Sequence, residues 1–165
     1  MLNYTYRTPV GVAALITPWN LPLYLLTFKL APALMSGCTV VCKPSEMTSV
    51  TAWMLCRLFH EVGLPKGVVN MVCGYGNTVG EVLVKHPDTK AISFTGSTLI
   101  GQRITALAGP MMKKLSMELG GKNAAVVFPD ADLSKAVPTL VTASFKNQGE
   151  ICLCTSRQAV KIFFG

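Results

Sequence analysis

At 165 residues the chain is the size of one ordinary domain; half of it is hydrophobic and only 14% is charged, so a core is easily filled. So few charges cover a free-standing surface poorly, and part of this surface is expected to meet more protein. The formal charge of +7 raises nucleic-acid binding, but the fifteen Lys and Arg are scattered, no run exceeds Lys113-Lys114, and neither an aromatic ladder nor a Cys/His finger goes with them.

Taken in chain order, the periodicity alternates between strand and helix. Residues 10–16 are an apolar run ending in Pro18-Trp19-Asn20-Leu21-Pro22, which reads as a buried strand and its turn. Residues 23–36 read as a helix stopped at Gly37. Residues 39–43 are a β-branched strand, and 48–62 a helix closed by Gly63 and Pro65. A strand follows over 68–73, and Thr78 with Glu81 has the spacing of a capping box for a short helix to Lys85. Residues 91–95 form a strand, Ser97 caps a helix to about Ala108, and strands over 114–118 and 124–128 flank Gly120-Gly121. Asp132 starts a last helix towards Phe145, and residues 161–165 read as an abrupt end.

Continuously apolar strands joined by helices imply a parallel sheet covered on both faces, the doubly wound α/β fold. Ligands of such sheets bind beyond the carboxyl ends of the strands. Trp19-Asn20, Lys43 to Glu46, and Gly96-Ser97 all fall there. The longest apolar segment, 21–35, contains Lys29, Pro22 and Pro32 and is too short and broken to span a bilayer. Six cysteines, with no paired C-x-x-C and with His60 and His86 isolated, fit free thiols in a cytoplasmic protein better than a disulfide framework or a metal site. No charged-then-apolar leader follows Met1.

Several of these residues carry chemistry. A cysteine thiolate is the strongest neutral-pH nucleophile among side chains. Alone, Cys152 and Cys154 suit a structural role better, but the polar Asn147-Gln148-Gly149-Glu150 approach can expose Cys152. Glu118, at a strand end before two glycines, is either a solvated carboxylate or a general base. Asn20 either shapes a turn or donates to an oxyanion. Gly96 and Ser97 at a helix start offer free N–H groups to a phosphate, or form a plain cap. Lys43 and Glu46 are either a surface pair or the partners of a ribose, where a carboxylate favours NAD over NADP. The fingerprint G-x-G-x-x-G is absent, and Gly74-Tyr75-Gly76 does not supply it.

The strings P-W-N (18–20), K-P-S-E (43–46), F-T-G-S (94–97), M-E-L-G-G-K (117–122) and N-Q-G-E-I-C (147–152) together resemble the aldehyde dehydrogenase family, in its order and at about its spacing. The resemblance covers about residues 8 to 160. It implies a Rossmann-like NAD-binding domain over 1–119, incomplete at its start, and the beginning of a catalytic domain over 120–165. It implies Cys152 as nucleophile, Glu118 as general base, and Asn20 with the Cys152 backbone N–H as oxyanion donors. It implies NAD held by Trp19, Lys43, Glu46, Gly96 and Ser97, with no metal. Residues 21–33, 48–56 and 147–157 further resemble a eukaryotic group acting on an unsaturated semialdehyde with carboxylates. Family members are much longer homo-oligomers, and this chain lacks their oligomerisation strands. A piece of a complete NAD-dependent aldehyde-oxidising enzyme is therefore expected. A short form that binds NAD or regulates without turnover, and an unrelated thiol-bearing α/β protein, remain open. Exposed apolar surface and open sheet edges are expected to follow.

Overall fold

The computed structural model describes residues 1–160, so the closing stretch 161–165 lies outside the described residues. The chain divides into two compact units, Met1–Leu119 and a second that begins at Gly120. In the first, five strands form one sheet: β1 (Val12–Ile16), β2 (Thr39–Lys43), β3 (Val69–Met71), β4 (Thr89–Thr95) and β5 (Lys114–Glu118). Their order is β3-β2-β1-β4-β5 and every pairing is parallel. Helices α1 (Pro22–Met35), α2 (Ser49–Glu61), α3 (Glu81–Lys85) and α4 (Thr98–Ala108) make the crossovers that parallel neighbours require.

Strand alternation explains why β1 reads as unbroken apolar sequence. Ala13 and Leu15 point to one face and pack with Leu26 and Leu30 of α1, Val40 and Cys42 of β2, and Ala52 of α2. Ala14 and Ile16 point to the other and pack with Val84 of α3, Ile92 and Phe94 of β4, and Ile104 and Ala108 of α4. Both faces are thus dry, as in a doubly wound sheet. Leu15 and Ile92 are fully buried, and each such side chain contributes roughly 1.5–3 kcal/mol by leaving water. From β1 the chain winds outward to β2 and β3, then returns to β4 on the opposite side of β1. The strand order therefore reverses between β1 and β4, and a crevice opens at their carboxyl ends.

Local chemistry sets the boundaries. Gly37 takes φ +74° after α1, and a Cβ there would stand 2.9 Å from Pro9 Cγ, so the stop needs glycine. Strand β1 starts at Val12, later than the apolar run suggests, because Gly11 has φ +104°. The capping box does not form. Thr78 Oγ1 donates to the Tyr75 carbonyl within a π turn over Gly76–Gly80, and Glu81 is drawn instead to Arg103 and Lys85. Ser97 does cap α4, its Oγ accepting from Ile100 N at 3.3 Å.

In the second unit β6 (Asn123–Val127) pairs in parallel with β7 (Thr155–Val160), joined through α5 (Leu133–Phe145). The strands flanking Gly120-Gly121 thus belong to different sheets. Strand β7 is not apparent in the sequence, because its side chains are mostly exposed and carry no apolar alternation. Asp132 caps α5, accepting from Ser134 N at 3.0 Å. Along α5, Leu133, Val137, Val141 and Phe145 recur at helical spacing and are all exposed. Among the described residues no helix is long and apolar enough to cross a membrane.

Candidate active site

The crevice at the β1/β4 ends is a cleft of about 420 Å³. Ile16 to Trp19 leave β1 along one side, Phe94 to Ser97 leave β4 along another, and Lys43, Ser45 and Glu46 follow β2. Backbone bonds fix these ends: Thr17 N donates to Lys43 O at 3.2 Å, and Gly96 N to Glu118 O at 3.1 Å. Trp19, Lys43, Glu46, Gly96 and Ser97, five residues singled out from the sequence, line this one cleft.

Each has a physical setting. Lys43 is buried, with its ammonium donating to Pro44 O at 3.0 Å and standing 4.0 Å from Glu46 Oε2. Burial holds its pKa below the usual lysine value, opposed by the charges of Glu46 and Cys73. A Cβ on Gly96 would lie 2.4 Å from Phe94 Cζ, so only glycine lets the chain pass the ring there and start α4. Ser97 and the first turn of α4 carry backbone N–H groups and the positive end of the helix dipole. Thr95 Oγ1, which lines the same cleft, is a buried hydroxyl with no hydrogen-bond partner among the described residues. A cradle closed to side chains, a helix start and an unsatisfied hydroxyl suit a polar, anionic ligand.

The cleft also holds groups that the sequence did not single out for it. Ile100, Arg103, Ile104 and Leu107 present one face of α4 to it, and Glu81 faces them from the start of α3. Burial alone would raise the Glu81 pKa, but hydrogen bonds from Arg103 and Lys85 outweigh it and hold the carboxyl below its usual range. No local motif signals this pair, because it depends on how α3 and α4 pack.

Glu118 lies elsewhere in the first unit. It is exposed at the carboxyl end of β5 and lines a separate cavity of about 710 Å³ beside α1, with Lys29 and Ser93. Lys29 is buried and donates to Ser93 Oγ at 2.9 Å. Burial lowers its pKa and the Glu118 charge partly restores it. Asn20 is half-buried in the bend between β1 and α1.

Cys152 belongs to the second unit and is an exposed, free thiol. The chain reaches it through Asn147 (φ +51°), Gln148 (φ +57°) and Gly149 (φ +79°), three consecutive left-handed residues. Two of these bear side chains and cost of order 1–3 kcal/mol each, a strain that clusters at functional loops. The Asn123 side-chain amide donates to the Cys152 and Cys154 carbonyls and pins the loop from β6. Cys154 points its thiol at Lys146 O, 3.5 Å away, and is half-buried. The two cysteines thus differ: one thiol is bound to the backbone and the other is presented. Asn123 follows the Gly-Gly-Lys string directly, and its position there is the only sequence signal it gives.

The model of the aldehyde dehydrogenase family matches residues 1–162. The 2-aminomuconic semialdehyde dehydrogenase of Bos taurus is 64% identical over 156 residues, 94% of this chain and 32% of that protein. A crystal structure of a mutant aldehyde dehydrogenase C from Pseudomonas syringae with NAD+ and octanal superposes with a TM-score of 0.91 at 47% identity. It covers 93% of this chain, and this chain covers 32% of it. An E. coli protein described as an NADP dependent enzyme gives a TM-score of 0.91 at 44% identity, over 93% of this chain and 32% of its own. The chain spans about a third of the length of the relatives it matches.

Proposed function

Given that the chain belongs to the aldehyde dehydrogenase family, we propose that it serves the NAD-dependent oxidation of an aldehyde to a carboxylic acid. The substrate class proposed is the semialdehyde of the 2-aminomuconic relatives, which are 62–64% identical to this chain. The first unit is the cofactor-binding domain and the second the beginning of the catalytic domain. The observation that carries the reading is the single cleft at the β1/β4 switch, lined by Trp19, Lys43, Glu46, Gly96 and Ser97.

In this reading the first turn of α4, with Gly96 and Ser97, holds the pyrophosphate. Glu46 and Lys43 take the ribose hydroxyls, and Trp19 flanks the cofactor. When bound, NAD supplies the acceptor for the hydride lost from the aldehyde carbon. Cys152, as thiolate, bonds to that carbon and forms a thiohemiacetal. The Asn20 amide and the Cys152 backbone N–H donate to its oxyanion. After oxidation the carbon is a thioester on Cys152. Glu118 takes a proton from the water that cleaves it, releasing acid and thiol. Per turnover, aldehyde, water and NAD+ give the carboxylate, NADH and two protons. A cytosolic setting, supported by six free thiols, and a homo-oligomeric complete protein belong to the same reading.

The test is NAD binding followed by quenching of Trp19 fluorescence in a Trp53→Phe background, and NADH formation with a carboxylate-bearing semialdehyde. In the complete protein, binding with turnover is expected. Binding without turnover on any aldehyde leaves a cofactor-binding or regulatory form. Absence of binding overturns the reading.

A further inference from the structure

We propose that Glu81 is a cofactor-selectivity residue: by clamping the Arg103 guanidinium it withholds a positive charge from the cleft, and so excludes a dinucleotide that bears a 2′-phosphate. The inference rests on the dinucleotide reading of the cleft and goes beyond it.

Four charged side chains line the cleft: Lys43, Glu46, Glu81 and Arg103. They sum to zero, in two pairs. Lys43 and Glu46 stand 4.0 Å apart at the end of β2. The other pair bridges α3 and α4, with Glu81 Oε1 on Arg103 Nη2, while Glu81 Oε2 holds Lys85 Nζ at 3.3 Å. The carboxylate is the anchored member. Its side chain is 18% exposed, against 62% for Arg103 and 53% for Lys85. Both cations are therefore in reach of solvent and held back by one buried-edge carboxylate.

The placement suits a nucleotide. Gly80 packs on the stem of Lys43, which with Glu46 would hold the ribose, and a Cβ there would lie 3.7 Å from Lys43 Cδ. Glu81 is the next residue. A phosphate monoester brings about −1.5 to −2 charges and three acceptor oxygens. Arginine is the side chain that best matches such a group. With Glu81 in place Arg103 is already committed, and the carboxylate adds repulsion. Without that charge the cleft becomes net positive, and Arg103 is free to turn towards a phosphate. The fold itself leaves the choice open, since similar structures are described with NAD+ and as NADP dependent.

The test measures Kd for NAD and NADP on the unaltered protein and on Glu81→Gln, with Glu81→Ala as the alternative should the first variant not fold. NADP is expected to bind about tenfold tighter in either variant, with NAD affinity changed less than about twofold. Adding Arg103→Gln to Glu81→Gln should cancel the gain. Glu61→Gln, which breaks the exposed Arg57–Glu61 pair on α2, removes the same charge away from the cleft and should leave the ratio unchanged. An unchanged NADP-to-NAD ratio in a folded Glu81 variant, or an equal gain from Glu61→Gln, overturns the inference while the cofactor reading stands. Failure of the unaltered protein to bind either dinucleotide overturns both.

Discussion

The two units are built on opposite terms. The first encloses its sheet between two hydrophobic clusters, with helices on both faces. The second buries one large hydrophobic side chain among the described residues, Val127, and α5 buries none. The proposed cofactor groups stand on the first, at the ends of packed strands. The proposed nucleophile stands on the second, on a strained loop held by Asn123. Rigid placement serves a large ligand whose affinity depends on preorganised contacts. A presented thiol needs exposure.

The largest effect should separate the units by function. Cys152→Ser is expected to lower turnover by at least about 10³-fold in the complete enzyme and to leave the Kd for NAD unchanged. Gly96→Val, which drives a side chain into the Phe94 ring, should do the reverse: weaken NAD by about tenfold or more while Cys152 still reacts with iodoacetamide. Kinetics, NAD titration and thiol labelling on both variants decide it. Equal loss of both functions in either variant would mean that the division of labour is wrong.

Stability should divide the same way. Leu15→Ala removes a side chain that is 2% exposed at the centre of the sheet, and is expected to cost about 2–5 kcal/mol. Val137→Ala, at a site 54% exposed on α5, should cost less than about 0.5 kcal/mol in this chain. In a complete enzyme that covers α5 the second cost should rise towards core values. Denaturant midpoints on both variants would show it, and equal costs here would contradict the contrast in burial.

What could be read in advance follows this contrast. The inner strands of the first unit were legible because burial on both faces leaves apolar runs, as in Val40 to Cys42. The five cleft residues were legible because they lie at strand ends in short strings. Strand β7 was not, since its exposed residues have no pattern to follow. Nor was the Glu81–Arg103 pair, which exists only once α3 packs against α4. Glu81 had the spacing of a capping residue, and a stronger ion pair took it.

Alkaline titration probes the first unit. Burial, reinforced by the charge of Cys56, pushes the Cys42 thiol up from 9.0 to about 12. The folded state therefore keeps this proton where the unfolded chain loses it. The stabilisation is whole below pH 9 and is lost as pH rises towards 12, at up to about 1.4 kcal/mol per pH unit. Lys29, whose pKa is lowered chiefly by burial, acts oppositely just below its ordinary value and softens the slope. Cys42→Ala should flatten the alkaline limb of a stability-versus-pH curve. A limb of unchanged steepness would assign it to other groups.

The smallest effect lies in the second unit. Asp132 accepts from Ser134 N and Ser134 Oγ at the start of α5. Bonds from Ser134 and Lys135 hold its pKa below the ordinary carboxylate value, against a smaller opposing effect of burial. A depressed carboxyl stabilises above its unfolded pKa and ceases to as pH falls through the folded one, so the cap should fail only in strong acid. Asp132→Ala is expected to destabilise the start of α5 at neutral pH. Asp132→Asn, which keeps an acceptor, should cost less and remove the acid dependence. Because α5 buries no side chain, its cap is one of few interactions that fix where the helix begins. Helix content by circular dichroism should therefore fall in Asp132→Ala while the sheet of the first unit keeps its unfolding midpoint. A shift of that midpoint together with the helix signal would mean that the two units unfold as one.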